Sequence, residues 1–453
     1  MIGVVVSRAD SASRHVGEHL RAVADWTVET DGERPDADGG GTVYRTDGFE
    51  LREFEEWHLH LEGVAAAFDD PDLLLFASRH SGETGPLLTA HHTGNFGPAE
   101  FGGADRELAR AAPNAHRHLL RAFERFAPDG YEVGTECTHH GPSAVGAPSL
   151  FVELGSGETE WDDPEGARAV ARSILALRGV APDAPAEDGR RRHLVGFGGG
   201  HYAPRFERVI RETGWAVGHV AADWCLEAMG RPASHPDLLR AAFEQSEAEY
   251  ALVEGDRPDL VAEIEALGYR AVSETWVREV DGVSLGLAAA LEDAVGTVDD
   301  GLRFGDRAPG ADAGTEFAVV GLPLELLAEA RGIDAEATRD AVAAATLAFG
   351  TDENGTRVVG PAAVESPANR RAVVDGLVDV LGRKYDAVER TDGRVVARET
   401  AFDPERARTL GVPEGPKFGR LADGDPVEVD GEIIEPDTVS RKRTREFEVT
   451  FNP

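Results

Sequence analysis

Cysteine, methionine and lysine are scarce in this sequence. Of 453 residues, two are cysteines (Cys137 and Cys225), two are methionines and three are lysines (Lys384, Lys417 and Lys442). Two cysteines exclude a disulfide framework and point to a reducing compartment, so a cytoplasmic protein is expected. No run approaches the roughly 20 apolar residues that a membrane helix needs, which excludes the bilayer as an expected partner. The opening "MIGVVVSRAD" has a short apolar run without a basic lead-in or a small-residue cleavage site, so no signal peptide is expected. Absent too are HExxH, paired CxxC and a Gly-Lys-Ser/Thr phosphate loop, which removes the standard zinc and P-loop signatures.

What is abundant is acid. The chain has 46 basic and 83 acidic residues, a formal net charge of -37. The acids are spread along its length, and arginine supplies nearly all the positive charge. Spread acid, scarce lysine and an Ala/Val/Gly-rich apolar set are expected of a protein adapted to molar salt. There the Debye length shrinks to about 3 Å and like-charge repulsion costs little. The plainer reading is an ordinary acidic protein. Acidity does not exclude a nucleic-acid partner, because counterion release is almost exhausted in such salt. Contacts would then rest on shape, stacking and hydroxyl groups.

The length predicts two or three domains, and 41% hydrophobic residues suffice for real cores. Up to about residue 275, short apolar runs alternate with amphipathic segments. Strands are predicted at 2–7, 72–80, 131–137, 149–155, 192–200, 215–221 and 250–255. Helices are predicted at 11–26, at 106–127 with a break or restart at Pro113, and at 163–179 after an Asp-Pro start. This alternation predicts an α/β fold, a mixed and largely parallel sheet flanked by helices. A smaller α+β extension follows, with helices at 323–331, 335–348 and 368–382 and a hairpin within 425–439. The boundaries read as 1–275, 276–400 and 401–453. The tract "DGERPDADGGG" (31–41) is expected to be an exposed loop.

Proton-handling residues recur where the predicted strands end. "LLLFASRH" delivers His80, "YEVGTECTHHGP" delivers Glu136, His139 and His140, "SLFVELG" delivers Glu153, and "HLVGFGGGH" delivers His201. A glycine-rich loop at 89–103, "TAHHTGNFGPAEFGG", adds His91, His92, Gly94 and Asn95. In open α/β sheets, sites form at the carboxyl edge, so one shared site is expected there. A lone histidine is ordinarily structural, but four segments repeating the placement point to function. Histidine serves as an acid or base near neutral pH, or as a zinc ligand. On a strand, His139 and His140 would point to opposite faces, and both reach one metal only if the turn has begun. Cys137 reads as a buried structural thiol. In "GFGGGHYAP", Gly198, Gly200 and Ala203 with Asp223 match a dinucleotide fingerprint on paper. The internal histidine and Pro204 favour a loop that lets the backbone approach a phosphate, sugar or carboxylate.

The segments "FASRHSGETGPLLTAHHTGNFGPAEFGG", "TECTHHGPSAVGAPSLFVELGSGETEW" and "GFGGGHYAPRF" resemble the archaeal and plant type of D-aminoacyl-tRNA deacylase, in the same order, over about residues 1–275. The resemblance implies a fold partly like peptidyl-tRNA hydrolase and hydrolysis of the ester between a D-amino acid and tRNA. It also implies dependence on zinc, with more than one ion per chain. The partner is then the acceptor end of tRNA, met by a monomer. Carried over, the family's histidines are His80, His91, His139, His140, His201 and His219; His92 and Cys137 are not among them. Within that frame the catalytic candidates are His80, His139, His140, His201, Glu136 and Asn95. The metal candidates are His91, His139, His140, His201, His219 and Glu153. Gly94, Gly198, Gly199, Gly200 and Tyr202 are expected at the substrate, with Asn95 or the Gly198–Gly200 amides facing the oxyanion. The tail 402–439 resembles a segment of tRNase Z without that enzyme's HxHxDH motif, and with "RKRTR" (441–445) it is expected to touch tRNA. Two other functions use the same residues: a zinc-dependent amidase or esterase on small acyl compounds, and a nucleotide-binding module.

Overall fold

The computed structural model describes residues 1–391 and 393–449. The chain divides into two compact units, Met1–Asp281 and Gly282–Pro453.

In the first unit, eight strands form one sheet: β1 (Ile2–Ser7), β2 (Thr27–Asp31), β3 (Gly41–Thr46), β4 (Phe49–Phe54), β5 (Leu73–Arg79), β6 (Leu87–His91), β7 (Glu132–Thr135) and β8 (Ser149–Gly155). Their order is β2-β3-β4-β1-β5-β8-β6-β7. Strands β4, β1, β5 and β8 run parallel, whereas β6 runs antiparallel to β8 and parallel to β7. β1, β5 and β8 are almost wholly buried, as their continuous apolar runs require of strands covered on both faces. The alternation expected to build one sheet builds two. Strands β9 (His193–Phe197), β10 (Ala216–Ala221), β11 (Tyr250–Val253) and β12 (Arg270–Val272) form a separate parallel sheet, ordered β10-β9-β11-β12.

Three segments differ from the sequence reading. Strands β2 to β4 escaped it: β2 is almost entirely exposed and has no apolar face to read, and β4, although mostly buried, mixes Glu50, Arg52 and Glu53 with its apolar residues. The supposed loop from residue 89 begins inside strand β6. Residues 106–112 are not helical; the helix is Pro113–Phe126, opening on the proline whose missing N–H the first turn tolerates.

The helix Ser11–Val23 ties this sheet to the site. Asp10 Oδ1 accepts from the amides of Ala12 and Ser13, capping the helix, while its Oδ2 accepts from Arg79 N at the end of β5. One buried carboxylate therefore fixes a helix start and the strand end that precedes His80.

The second unit has a four-stranded antiparallel sheet of Leu302–Phe304, Ala318–Val320, Ala348–Asp352 and Arg357–Val364. The three predicted helices are there as Leu324–Ile333, Ala335–Ala343 and Pro367–Leu381. The predicted hairpin pairs Val427–Val429 with Glu432–Ile434. Strand Ser440–Glu448, which contains "RKRTR", pairs along Arg394–Phe402 and buries Phe447 in one core with Leu326, Phe349 and Leu377. Among the described residues no helix is long and apolar enough to cross a membrane.

Asp10→Ala should lower unfolding free energy by about 1–3 kcal/mol, the range for a lost cap and an unsatisfied buried amide. Denaturant titration of the full chain in high-salt buffer measures it.

Candidate functional site

Register places the site. Ser78 on β5 lies beside Glu153 on β8, Thr89 and His91 on β6 lie opposite Glu153 and Phe151, and Ala90 lies beside Thr135 on β7. Side chains alternate between faces. Phe76, Ser78 and His80 therefore share a face with Phe151, Glu153, Thr89, His91 and Glu136, the residue after Thr135. Because β6 runs against β8, its terminal His91 is level with Phe151, well inside the sheet. The site spreads over a sheet face instead of keeping to the carboxyl edge.

Beyond β7 the chain leaves the sheet. His140 adopts φ 45°, so the turn has begun, and the adjacent rings of His139 and His140 converge with centroids 4.4 Å apart. Both face His91, at 4.2 and 4.8 Å, and Phe151 packs against His91 and His140 at 5.2 and 4.9 Å. His201 arrives from the loop after β9 and lies 4.8 Å from His139.

Two kinds of histidine result. In His91, His139 and His140 the Nδ1 groups lie 3.1, 2.9 and 2.7 Å from the carbonyls of His92, Cys137 and Gly141. A carbonyl only accepts, so each Nδ1 carries a proton, and Nε2 is the nitrogen that the neutral ring would offer to a metal. Ligating atoms of the three lie within 4.8 Å of one another. Buried His91 Nε2 has no hydrogen-bond partner, and burial pushes the pKa of His140 well below the usual value. Burial opposes a charge on His91, but Glu153 outweighs it and raises its pKa. Three converging rings with backbone-held Nδ1–H groups suit a divalent metal such as zinc.

His80 and His201 are different. Glu136 is buried between them, with Oε2 accepting from His201 Nε2 at 2.7 Å and Oε1 3.1 Å from His80 Nδ1. Glu153 Oε2 lies 3.5 Å from the same His80 nitrogen, and Tyr202 hydroxyl 3.0 Å from its Nε2. Burial opposes a charge on His80, but Glu136 and Glu153 outweigh it and push the pKa up to about 11. For His201 burial is likewise outweighed, by Cys137 and Glu136, and the pKa rises to about 10. The two glutamates, although buried, are held below the ordinary carboxylate range, Glu136 by His201 and His80 and Glu153 by His80 and His91. The ensemble is two carboxylates matched by two imidazolium ions. Glu136 Oε1, although close to His80, is off a hydrogen-bond line and has no donor. Cys137 is buried with its pKa pushed up to about 12, by Cys225 and then burial.

His80, Glu136, His139, His140, Glu153 and His201 line a cavity of about 820 Å³, with Asn95 on its wall, whereas His91, Cys137 and Tyr202 do not line it. Trp57, Leu59, Arg79, Phe101 and Trp224 complete that wall. The sequence reading missed all five, since no local motif marks an aromatic that becomes a rim only on folding. A depression of similar size, about 860 Å³, lies near His19, Arg125, Arg168 and Arg172 and holds no histidine–carboxylate cluster.

Other expected residues sit elsewhere or are already engaged. Asn95 Nδ2 donates to the carbonyls of Gly102 and Ala104, which spends both its protons on the loop. Gly94 N donates to His140 O, so Gly94 holds the turn. The Gly198 amide donates to Ala221 O and the Gly199 amide to Asp223 Oδ1. Neither amide is free for an oxyanion, and none of Gly94, Gly198, Gly199 and Gly200 lines the cavity. Asp223, the ribose ligand of the paper fingerprint, is also bound by Arg257 at 2.6 Å. His219 lies outside the cluster. Its Nδ1 meets Thr138 Oγ1 at 3.0 Å and its Nε2 meets Ala109 O at 2.8 Å, leaving no lone pair for a metal. With His92 and His116 it forms a second, wholly buried histidine group.

Comparison with known proteins gives a consistent picture. The family model described as D-aminoacyl-tRNA deacylase matches residues 67–271. A D-aminoacyl-tRNA deacylase of Haloarcula marismortui is 58% identical over 451 residues, covering 99% of this chain and 100% of that one. One from Natronomonas pharaonis is 56% identical, covering 99% and 100%, and one from Methanoregula boonei is 34% identical, covering 97% and 96%. Among solved structures, one titled as a conserved protein of unknown function, AF0625, is 32% identical with a TM-score of 0.52. It covers 60% of this chain and 95% of that chain.

The second histidine group predicts acid sensitivity. Burial lowers the pKa of His116 and His219 from 6.5 to about 4. Between those values the unfolded chain binds protons that the folded chain refuses. The stability is complete above pH 6.5 and is lost as the pH falls towards 4, by about 1.4 kcal/mol per pH unit for each histidine. Below pH 6.5 the raised pKa values of His80 and His201 contribute a constant stability, so denaturant midpoints at pH 6, 5.5 and 5 should fall in that order, and less steeply in His219→Gln.

Proposed function

Because the chain belongs to the D-aminoacyl-tRNA deacylase family, we propose that it hydrolyses the ester joining a D-amino acid to the 3′ end of tRNA, in the cavity above His91 and Glu136. The observation that supports this reading is the gathering of five histidines, three converging with their Nδ1 groups on backbone carbonyls and two held by buried Glu136.

His91, His139 and His140 would hold zinc, which supplies an activated water near neutral pH and polarises a carbonyl. Glu153, 3.5 Å from His91 Nε2, is the nearest carboxylate to that group, and His201 stays with Glu136. Cys137, His139 and His201 also cluster and are the candidate ligands for a second ion.

The protein's own groups account for the remaining chemistry. Glu136, buried beneath the cavity, sets where His80 and His201 sit beside it. His80 and His201 place positive charge beside the cavity, where the tetrahedral oxyanion develops; such preorganised charge is worth about 10²–10³ in rate per group. His201, part-exposed at the wall, gives its proton to the departing ribose oxygen and regains one from the water. Glu136 holds it in place throughout, and Tyr202 does the same for His80. The products are a free D-amino acid and tRNA with an intact 3′ hydroxyl.

We read the net charge of -37 and the scarcity of lysine as adaptation to molar salt, and the enzyme as a cytoplasmic monomer. The relatives from Haloarcula and Natronomonas support the first point. The basic strand remains a candidate tRNA contact, with Lys442 exposed while Arg441, Arg443 and Arg445 pair with Asp403, Glu399 and Glu329. Deleting that strand would remove Phe447 from the core, so neutralising Lys442 and Arg443 to Gln is the cleaner test. It should raise KM for tRNA and leave kcat alone.

Single alanine variants of His91, His139 and His140 should each lose bound zinc and at least 10²-fold in kcat. Glu136→Gln should retain zinc while losing about 10²-fold, because the His201 charge is no longer held. Metal content paired with D-Tyr-tRNA deacylation separates the two classes. Equal turnover of a D-tyrosine ethyl ester would instead favour a small-ester hydrolase.

A further inference from the structure

Six large apolar side chains are exposed among the described residues, and two of them, both aromatic, line the same cavity. Phe101 is 67% exposed and Trp224 is 48% exposed, and both line the opening. They come from separate places, Phe101 from the loop after β6 and Trp224 from the helix Asp223–Met229. Each is tethered through the backbone. Phe101 O accepts from Gly141 N, beside the His139–His140 turn, and Asp223 N, one residue before Trp224, donates to Gly199 O.

A third feature lies on the same wall. Arg79, the last residue of β5, holds its guanidinium 4.5 Å from the ring centre of Trp57 and 4.8 Å from that of Trp161. Trp161 is itself fixed by its Nε1 donating to His80 O at 2.9 Å. In a chain of net charge -37, most arginines here are matched by acids. Arg79 has no ion-pair partner among the described residues and is oriented by two indole rings instead. A planar guanidinium fixed by aromatic stacking, with its donors unspent, is built to bind an anion such as a phosphodiester.

We infer that the mouth of the cavity is a binding surface for unpaired nucleotides, with Phe101 and Trp224 stacking on bases and Arg79 contacting a backbone phosphate. This rests on the deacylase reading and extends it to how the last nucleotides of the substrate are held. Stacking suits the chemistry of the surface. Every base has an aromatic face, and stacking survives the salt that would screen a simple basic patch. Glu100 also lines the opening, so charge alone would not draw RNA to it. The rim therefore selects single-stranded ends whose bases can be splayed, not duplex.

The test is equilibrium binding of a short RNA ending in an unpaired CCA, without any amino acid, to the full chain in high-salt buffer. It is read by tryptophan fluorescence and by competition. Wild type should bind it and should reject a blunt RNA duplex of the same length. Phe101→Ala and Trp224→Ala should each weaken binding about tenfold, within the range for a lost base–aromatic stack. Trp224→Phe, which keeps a ring, should stay near wild type. Arg79→Gln should weaken the oligonucleotide but not free adenosine. In deacylation the aromatic variants should raise KM by a similar factor with kcat unchanged. Unchanged binding and KM in both alanine variants, or equal binding of the blunt duplex, would overturn the inference. The deacylase reading would survive that result. It falls instead if wild type binds the oligonucleotide yet leaves D-aminoacyl-tRNA intact.

Discussion

The site depends on burying Glu136 between two histidines. A carboxylate in a dry interior is costly unless paired and hydrogen-bonded. Here the pairing comes from His80 at the end of β5 and His201 beyond β9, so one side chain joins strands of both sheets in the first unit. Glu153 repeats the arrangement one strand away, reaching His80 and His91. The charges are arranged so that none can be removed without stranding another. Such a network holds its geometry tightly and keeps its imidazolium ions charged well above neutral pH.

Strand direction sets the second constraint. Had β6 run parallel to β8, its final histidine would lie beyond the sheet edge with the others. Running antiparallel, it brings His91 beneath His139 and His140, where Phe151 supplies an apolar floor. The three rings are then fixed by backbone carbonyls on their Nδ1 sides, which decides the tautomers before any ligand arrives. Metal affinity, in this view, is a property of the turn at residues 137–141 as much as of the histidines.

Much of this was legible in the sequence, and the failures have physical causes. Buried strands announce themselves as apolar runs, so β1, β5 and β8 could be read directly, as could the helices that open on Asp163–Pro164 and Ser366–Pro367. The convergence of His80, Glu136, His139, His140, Glu153 and His201 followed from their shared placement after strands. Asn95 and the glycine amides looked available because a sequence shows donors but not whether a neighbouring carbonyl has claimed them. His219 looked like a ligand for the same reason. The aromatic rim was invisible, since Phe101 and Trp224 are 123 positions apart and meet only across the cavity mouth.

The pairing of Arg394–Phe402 with Ser440–Glu448 has a consequence for synthesis on the ribosome. Phe447 packs in a core of the second unit whose other members begin at Leu322, so that core cannot close until Phe447 has been translated. The first unit has all its strands by Val272 and can fold while the remainder is still being made. Truncated chains would thus carry a complete histidine pocket beside an open, apolar second unit, the form that quality control recognises and removes.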